Sequence, residues 1–155
     1  MPVDKLHAIQ TAKDALLLKG PEYDEYMRVV LNGQTFLIAV KDVLSVLRPV
    51  PLTHVPMAPD HLMGVANIRG QVFCLIDPGK ILRIPAKRKE ATAASRYLLL
   101  RHPRVHLGVW AEEVLDLHRV ESDVVIEDEG LPFEQGKLAT RHGMLPVLRV
   151  SALFD

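Results

Sequence analysis

Few residues of this chain stand at the spacings that reactive chemistry requires. Gly79-Lys80 has the glycine-lysine step of a phosphate loop. Such a loop also needs a glycine five residues before Gly79 and a hydroxyl after the lysine, and those places hold Cys74 and Ile81. The four serines, Ser45, Ser95, Ser122 and Ser151, all lie outside a Gly-x-Ser-x-Gly elbow, which argues against a serine hydrolase. Cys74 sits in an apolar run with no adjacent charge to lower its pKa, the setting of a buried small hydrophobe rather than a nucleophile. His102 and His106 are four apart but flank Pro103-Arg104 at an expected hairpin, where they do not share a helix face as a zinc pair does. Glu112-Glu113 and Glu127-Asp128-Glu129 lack partner residues at motif spacing and read as solvated turns. No catalytic, cofactor-binding or metal-ligating residue is nominated.

One stretch stands apart. Gly64-Val65-Ala66-Asn67-Ile68-Arg69-Gly70-Gln71-Val72-Phe73-Cys74-Leu75-Ile76-Asp77 puts a single arginine at a glycine-containing turn between two apolar runs. Gly70 permits a tight turn and close approach of another backbone. The Arg69 guanidinium can fork onto carboxylates or carbonyls of a partner, or bond nearby carbonyls and tie the turn to its own fold. The residues alone leave both open.

The elements that must position this turn are mostly strands. Val3, Leu6, Ile9, Ala12 and Leu16 recur at helical spacing, and Gly20-Pro21 caps and stops that helix, so residues 1–24 read as a short N-terminal helix and linker. The period then shortens. Tyr26 to Leu31 and Gln34 to Val40 flank Asn32-Gly33, the strongest short hairpin signal, because both central residues of a type I′ turn need positive φ. Further strands are expected at Val43 to Arg48, Val65 to Ile68, Val72 to Ile76, Arg96 to Arg101, Val105 to Trp110, Val114 to Arg119 and Met144 to Val150.

A repeat appears when the second half is slid back by about 71 positions. Tyr26 then faces Tyr97, Phe36 faces Leu107, Asp42 faces Glu113 and Arg48 faces Arg119; with a slip of two more, Gly70 faces Gly143. Two similar β units follow, each near the lower size for independent stability, so they must pack tightly on each other. Pro85 to Ser95, with Lys87-Arg88-Lys89, reads as the solvated link between them.

The totals agree. The chain has 155 residues, 48% of them hydrophobic, enough for a real core, and 19 basic residues balance 19 acidic ones, so the footprint of a nucleic-acid binder is missing. A single cysteine excludes an intramolecular disulfide and fits a reducing compartment. Charges at Asp4, Lys5, His7, Lys13 and Asp14 interrupt any signal peptide, and no window approaches the roughly 18 apolar residues needed to cross a bilayer. A cytoplasmic protein with no direct membrane insertion is expected.

The Gly64 to Asp77 stretch resembles the motif Gly-Val-x-Asn-Leu-Arg-Gly-x-(apolar)-x-Pro-(apolar)-x-Asp-Leu of the CheW-like domain of bacterial chemotaxis coupling proteins and of the chemotaxis histidine kinase's regulatory domain. The preceding hairpin fits too, as does Arg48-Pro49 followed by Thr53 to Pro59, and the resemblance spans about Tyr26 to Phe154. It departs at Asp77-Pro78, where the family has leucine after the aspartate, and between Glu127 and His142, which is short and polar. The resemblance implies a mainly β fold of two five-stranded SH3-like barrels packed side by side, over residues 25–155. The first barrel would cover approximately 25–84 and the second 96–155, with possible strand exchange.

It also implies a non-catalytic, cofactor-free adaptor. Its partners would be the cytoplasmic tip of a chemoreceptor and the regulatory domain of a CheA-type histidine kinase, in flagellar or pilus-linked signalling, and it would associate with the membrane through receptor arrays. Partner binding is carried over to Val43, Gly64, Asn67, Arg69 and Gly70. The competing classes are a catalytic domain with an unrecognised site and a β-barrel adaptor outside chemosensing.

Overall fold

The computed structural model describes residues 23–121 and 133–154. The expected N-terminal helix and the Glu127-Asp128-Glu129 cluster lie outside the described residues. The rest is mainly β. The strands are β1 (Tyr23–Leu31), β2 (Gln34–Ala39), β3 (Val43–Leu47), β4 (Leu62–Ile68), β5 (Gln71–Ile76), β6 (Arg96–Leu100), β7 (Leu107–Ala111), β8 (Glu113–Glu121), β9 (Glu134–Thr140) and β10 (Gly143–Leu148). They form two five-stranded sheets, in the orders β8-β1-β2-β10-β9 and β3-β6-β7-β5-β4.

The sheets cut across the two halves of the chain. Strands β3, β4 and β5 leave β1 and β2 to join β6 and β7, while β8, β9 and β10 return to β1 and β2. Strand exchange is therefore the organising rule, and each sheet is completed by the other repeat. Replacing each strand of the first sheet by its repeat mate gives the order of the second. Registers repeat as well. Tyr26 pairs with Ala39 and Tyr97 with Trp110; a bulge at Arg28/Val29, opposite Asp116 and Val114, recurs where Leu99 and Leu100 face Ser45 and Val43.

Burial follows from the pleat, which sends alternate side chains to opposite faces. Met27, Val29, Leu31, Phe36 and Ile38 meet Leu98, Leu100, Leu107 and Val109 in one core shared by both sheets. The intervening residues serve each sheet separately: Tyr26, Leu37 and Ala39 pack with Leu138 and Val147, and Tyr97, Leu99 and Trp110 pack with Phe73 and Leu75. Strands β2, β6 and β7 are thus buried on both faces over most of their length, which is why they read as nearly continuous apolar runs, whereas β1 keeps Asp24, Glu25 and Arg28 only partly buried.

Two local features refine the sequence-based expectations. Strand β9 was not expected; among its inward-facing residues Glu134, Gly136 and Leu138, only one is a large apolar residue. Pro78, the departure after Asp77, opens a short helix, Pro78–Leu82, whose N-cap Asp77 accepts a hydrogen bond from the Gly79 amide at 3.0 Å. Proline suits that place because its missing N–H has no intrahelical partner there.

Candidate functional site

Strands β4 and β5 are joined by the two residues Arg69-Gly70, with Ile68 paired to Gln71. Arg69 has φ 53° and Gly70 φ 83°, the two positive values of a type I′ turn. Such a turn matches the right-handed twist of the strands it joins, so the tip is held in one conformation. The Asn67 side-chain oxygen accepts a hydrogen bond from the Gly70 amide at 2.9 Å and fixes the turn from the strand side. Asn67 and Gly70 therefore shape the tip. Arg69 is exposed, and its guanidinium makes no hydrogen bond or ion pair among the described residues. Of the two roles left open by the sequence, the intramolecular tie finds no acceptor there.

The other two nominated residues sit elsewhere. Gly64 is buried in β4 with φ 153°, and a Cβ there would come within 2.9 Å of the Leu52 Cβ and the Thr53 carbonyl oxygen. Its lack of a side chain lets the 52–53 segment lie against β4, where Thr53 and Val65 exchange backbone hydrogen bonds of 2.8 and 3.0 Å. Val43 is 7% exposed and belongs to the shared core, on the strand at the far end of the sheet order from β4. Its neighbour Leu44 is the exposed residue, at 47%. The structure thus groups Asn67, Arg69 and Gly70 at one tip and places Gly64 and Val43 beneath the surface.

Next to the tip lies a feature that sequence reading missed. An open groove of about 510 Å³ is lined by Leu44, Gln71 and Phe73, by Leu100 and by the 101–106 connection, and it brings the β3 edge to the start of β5. Leu44 and Val105, on its walls, are 47% and 44% exposed. The His106 ring stacks on Phe73 with centroids 4.9 Å apart. The His102 Nδ1 accepts the amides of Arg104 and Val105 at 3.1 and 3.0 Å, so this ring caps its own turn rather than pairing with His106 on a metal. A groove with apolar walls, aromatic packing and a cation nearby can receive an amphipathic helix. The signal was present in sequence as Leu44 and Val105, but only the exchanged sheet makes them neighbours of Gln71.

Comparison with known proteins points one way. The CheW-like domain model matches residues 25–155. The chain is similar to the chemotaxis protein CheW of Helicobacter pylori, 24% identical over 136 residues, 83% of this chain and 80% of that one. It is similar to the chemotaxis protein CheW of Bacillus subtilis, 30% identical over 103 residues, 66% of this chain and 65% of that one. The crystal structure of the scaffolding protein TtCheW from Thermoanaerobacter tengcongensis shares its fold with a TM-score of 0.77 at 19% identity, covering 87% of this chain and 90% of that one. With two exchanged five-stranded sheets and a match running from Glu25 to the last residue, this chain belongs to the CheW-like domain family of chemosensory coupling proteins.

Proposed function

We propose that this protein is a non-enzymatic adaptor that joins the cytoplasmic tip of a chemoreceptor to the regulatory domain of a CheA-type histidine kinase. The observation that carries the reading is the exposed Arg69, without a partner among the described residues, on a rigid I′ turn beside the Leu44–Val105 groove. A receptor tip is a helical hairpin, and an amphipathic helix lies in such a groove on its apolar stripe. Arg69 then supplies a charged fork at the groove's end for a carboxylate of the bound helix. Asn67 and Gly70 act by holding that turn, while Gly64 seats the 52–53 segment against β4 and Val43 acts through the shared core.

The two-sheet body suits an adaptor because a partner held on one sheet leaves the other sheet's surface free. Among the described residues, no helix is long and apolar enough to cross a membrane. Placement in the cytoplasm, and at the membrane only through receptor arrays, belongs to this proposal. The test is a pull-down of the purified chain against the cognate kinase's regulatory domain and, separately, a receptor cytoplasmic fragment. Retention by both supports the reading; retention by neither rejects it.

A further inference from the structure

The second repeat carries a cluster that the first does not. Asp116 and His118 are two apart on β8 and share a face, and His142 stands in the turn between β9 and β10. In the sheet order β8 and β9 are at opposite ends, so these residues meet only because the sheet curls until its edges face each other. One ligand atom from each lies within 4.8 Å of the others. In the sister sheet the register-equivalent places hold Ser45, Leu47 and Gly70, so the fold itself does not demand the cluster.

The contacts within it are unusual for a resting ion pair. The His118 Nε2 is 3.1 Å from the Asp116 Oδ1. Yet this nitrogen is buried and has no partner in hydrogen-bond geometry. Two donor atoms bound tetrahedrally to one ion at roughly 2.0–2.1 Å stand about 3.3 Å apart, close to the spacing seen here. The His118 and His142 rings are perpendicular, with centroids 6.2 Å apart, and His142 is exposed on its turn.

We propose that Asp116, His118 and His142 form a binding site for a divalent transition-metal ion of the zinc class, which clasps the β8 edge to the β9–β10 hairpin. Two imidazoles select zinc, nickel or copper over magnesium and calcium, which take oxygen ligands. Arg28 is the supporting group: its Nε donates to the Asp116 Oδ1 at 2.9 Å and its Nη2 to Oδ2 at 2.8 Å. That fork orients the carboxylate as outer partners of metal ligands commonly do, while its charge offsets the carboxylate's and further disfavours ions held by charge alone. Asp116 and His118 stand at a one-face strand interval, but His142 comes from a turn 24 residues further on, so sequence spacing alone did not assemble the site.

The chain has seven histidines, so binding must be assigned by variants rather than assumed. The experiment titrates zinc chloride into the full chain, freed of metal with a chelator, by calorimetry, and follows the thermal midpoint with zinc, magnesium and calcium chlorides. His142→Ala changes an exposed turn residue, and His118→Leu installs the residue that the sister sheet carries at Leu47. The expected result is one zinc per chain, a midpoint raised by zinc alone, and at least tenfold weaker binding in both variants. Should His118→Leu fail to fold, His142→Ala decides alone. Absence of saturable binding by the unmodified chain, or undiminished stoichiometric binding by His142→Ala, overturns the proposal.

Discussion

Arg69 and Arg141 occupy the same place in two copies of one hairpin, yet they stand on different backbones. Arg69 precedes a register-equivalent Gly70, and both have positive φ; Arg141 precedes His142, and the left-handed residue there is Gly143, at φ 97°. The Thr140 hydroxyl bridges that second turn, donating to the Gly143 carbonyl at 2.8 Å and accepting from the His142 amide at 3.0 Å. Both arginines are exposed, but of the two only Arg69 stands on a I′ turn; the turn of Arg141 instead carries His142 close to His118 of β8.

Arg69→Ala removes a guanidinium that has no partner among the described residues. Its effect should fall on binding: about 1–3 kcal/mol lost toward the receptor or the kinase, with the urea midpoint unchanged. Exposed charges contribute less than about 1 kcal/mol to stability. A large fall in midpoint would mean that Arg69 ties the fold together.

Gly64→Ala should do the reverse. The added methyl meets the Leu52 Cβ and the Thr53 carbonyl oxygen at 2.9 Å, on a backbone with φ 153°. Strain and overpacking together cost about 2–3 kcal/mol. Denaturant unfolding should show this loss, while binding by the remaining folded fraction stays close to the unmodified value.

Leu44→Glu probes the groove directly. Leu44 is 47% exposed, so folding should change little, but a buried carboxylate against a partner's apolar stripe is costly unless paired. Binding of the receptor fragment should weaken at least tenfold, measured by titration. Val43→Ala, by contrast, excavates the shared core and should lower stability.

Alkaline pH should unfold the protein through its two buried tyrosines, Tyr26 and Tyr97. Burial pushes the Tyr26 phenol above its ordinary value of 10.0, with Asp24 and Asp42 adding to the shift. Burial raises Tyr97 likewise, against the opposing charge of Arg88. A raised pKa in the folded state means that the stabilisation is complete below the unfolded value and is lost as pH rises through the folded one. Stability should hold to about pH 9–10 and then fall. Tyr97→Phe, which also gives up the 2.9 Å hydrogen bond to the Val50 carbonyl, should start less stable but show a shallower alkaline slope in urea titrations at successive pH values.

Much of this architecture was legible in the sequence because local chemistry agreed with it. Asn32-Gly33 and Arg69-Gly70 announce turns, and doubly buried strands announce themselves as apolar runs. Matching glycine to glycine placed Gly70 opposite Gly143, whereas the ladders place Leu75 and Val147 in equivalent positions and Gly70 opposite His142. The glycine moved by one residue because the two turns are of different types. Strand β9 escaped because Glu134, Gly136 and Lys137 carry no strand signal; its place is set by pairing with β10. Val43 was nominated one residue away from the exposed Leu44, since which side of a strand faces out depends on what packs behind it. The groove and the Asp116–His118–His142 cluster arise from strand exchange and sheet curvature, which no local spacing encodes.

The central claim is that one chain holds two different partners at once. The most direct measurement captures the unmodified chain on a surface, saturates it with the kinase's regulatory domain, and then adds the receptor cytoplasmic fragment. The account predicts that the second signal adds to the first, and that Leu44→Glu weakens only the receptor step. Displacement of the kinase domain by the receptor fragment, or failure of either to bind the unmodified chain, would contradict it.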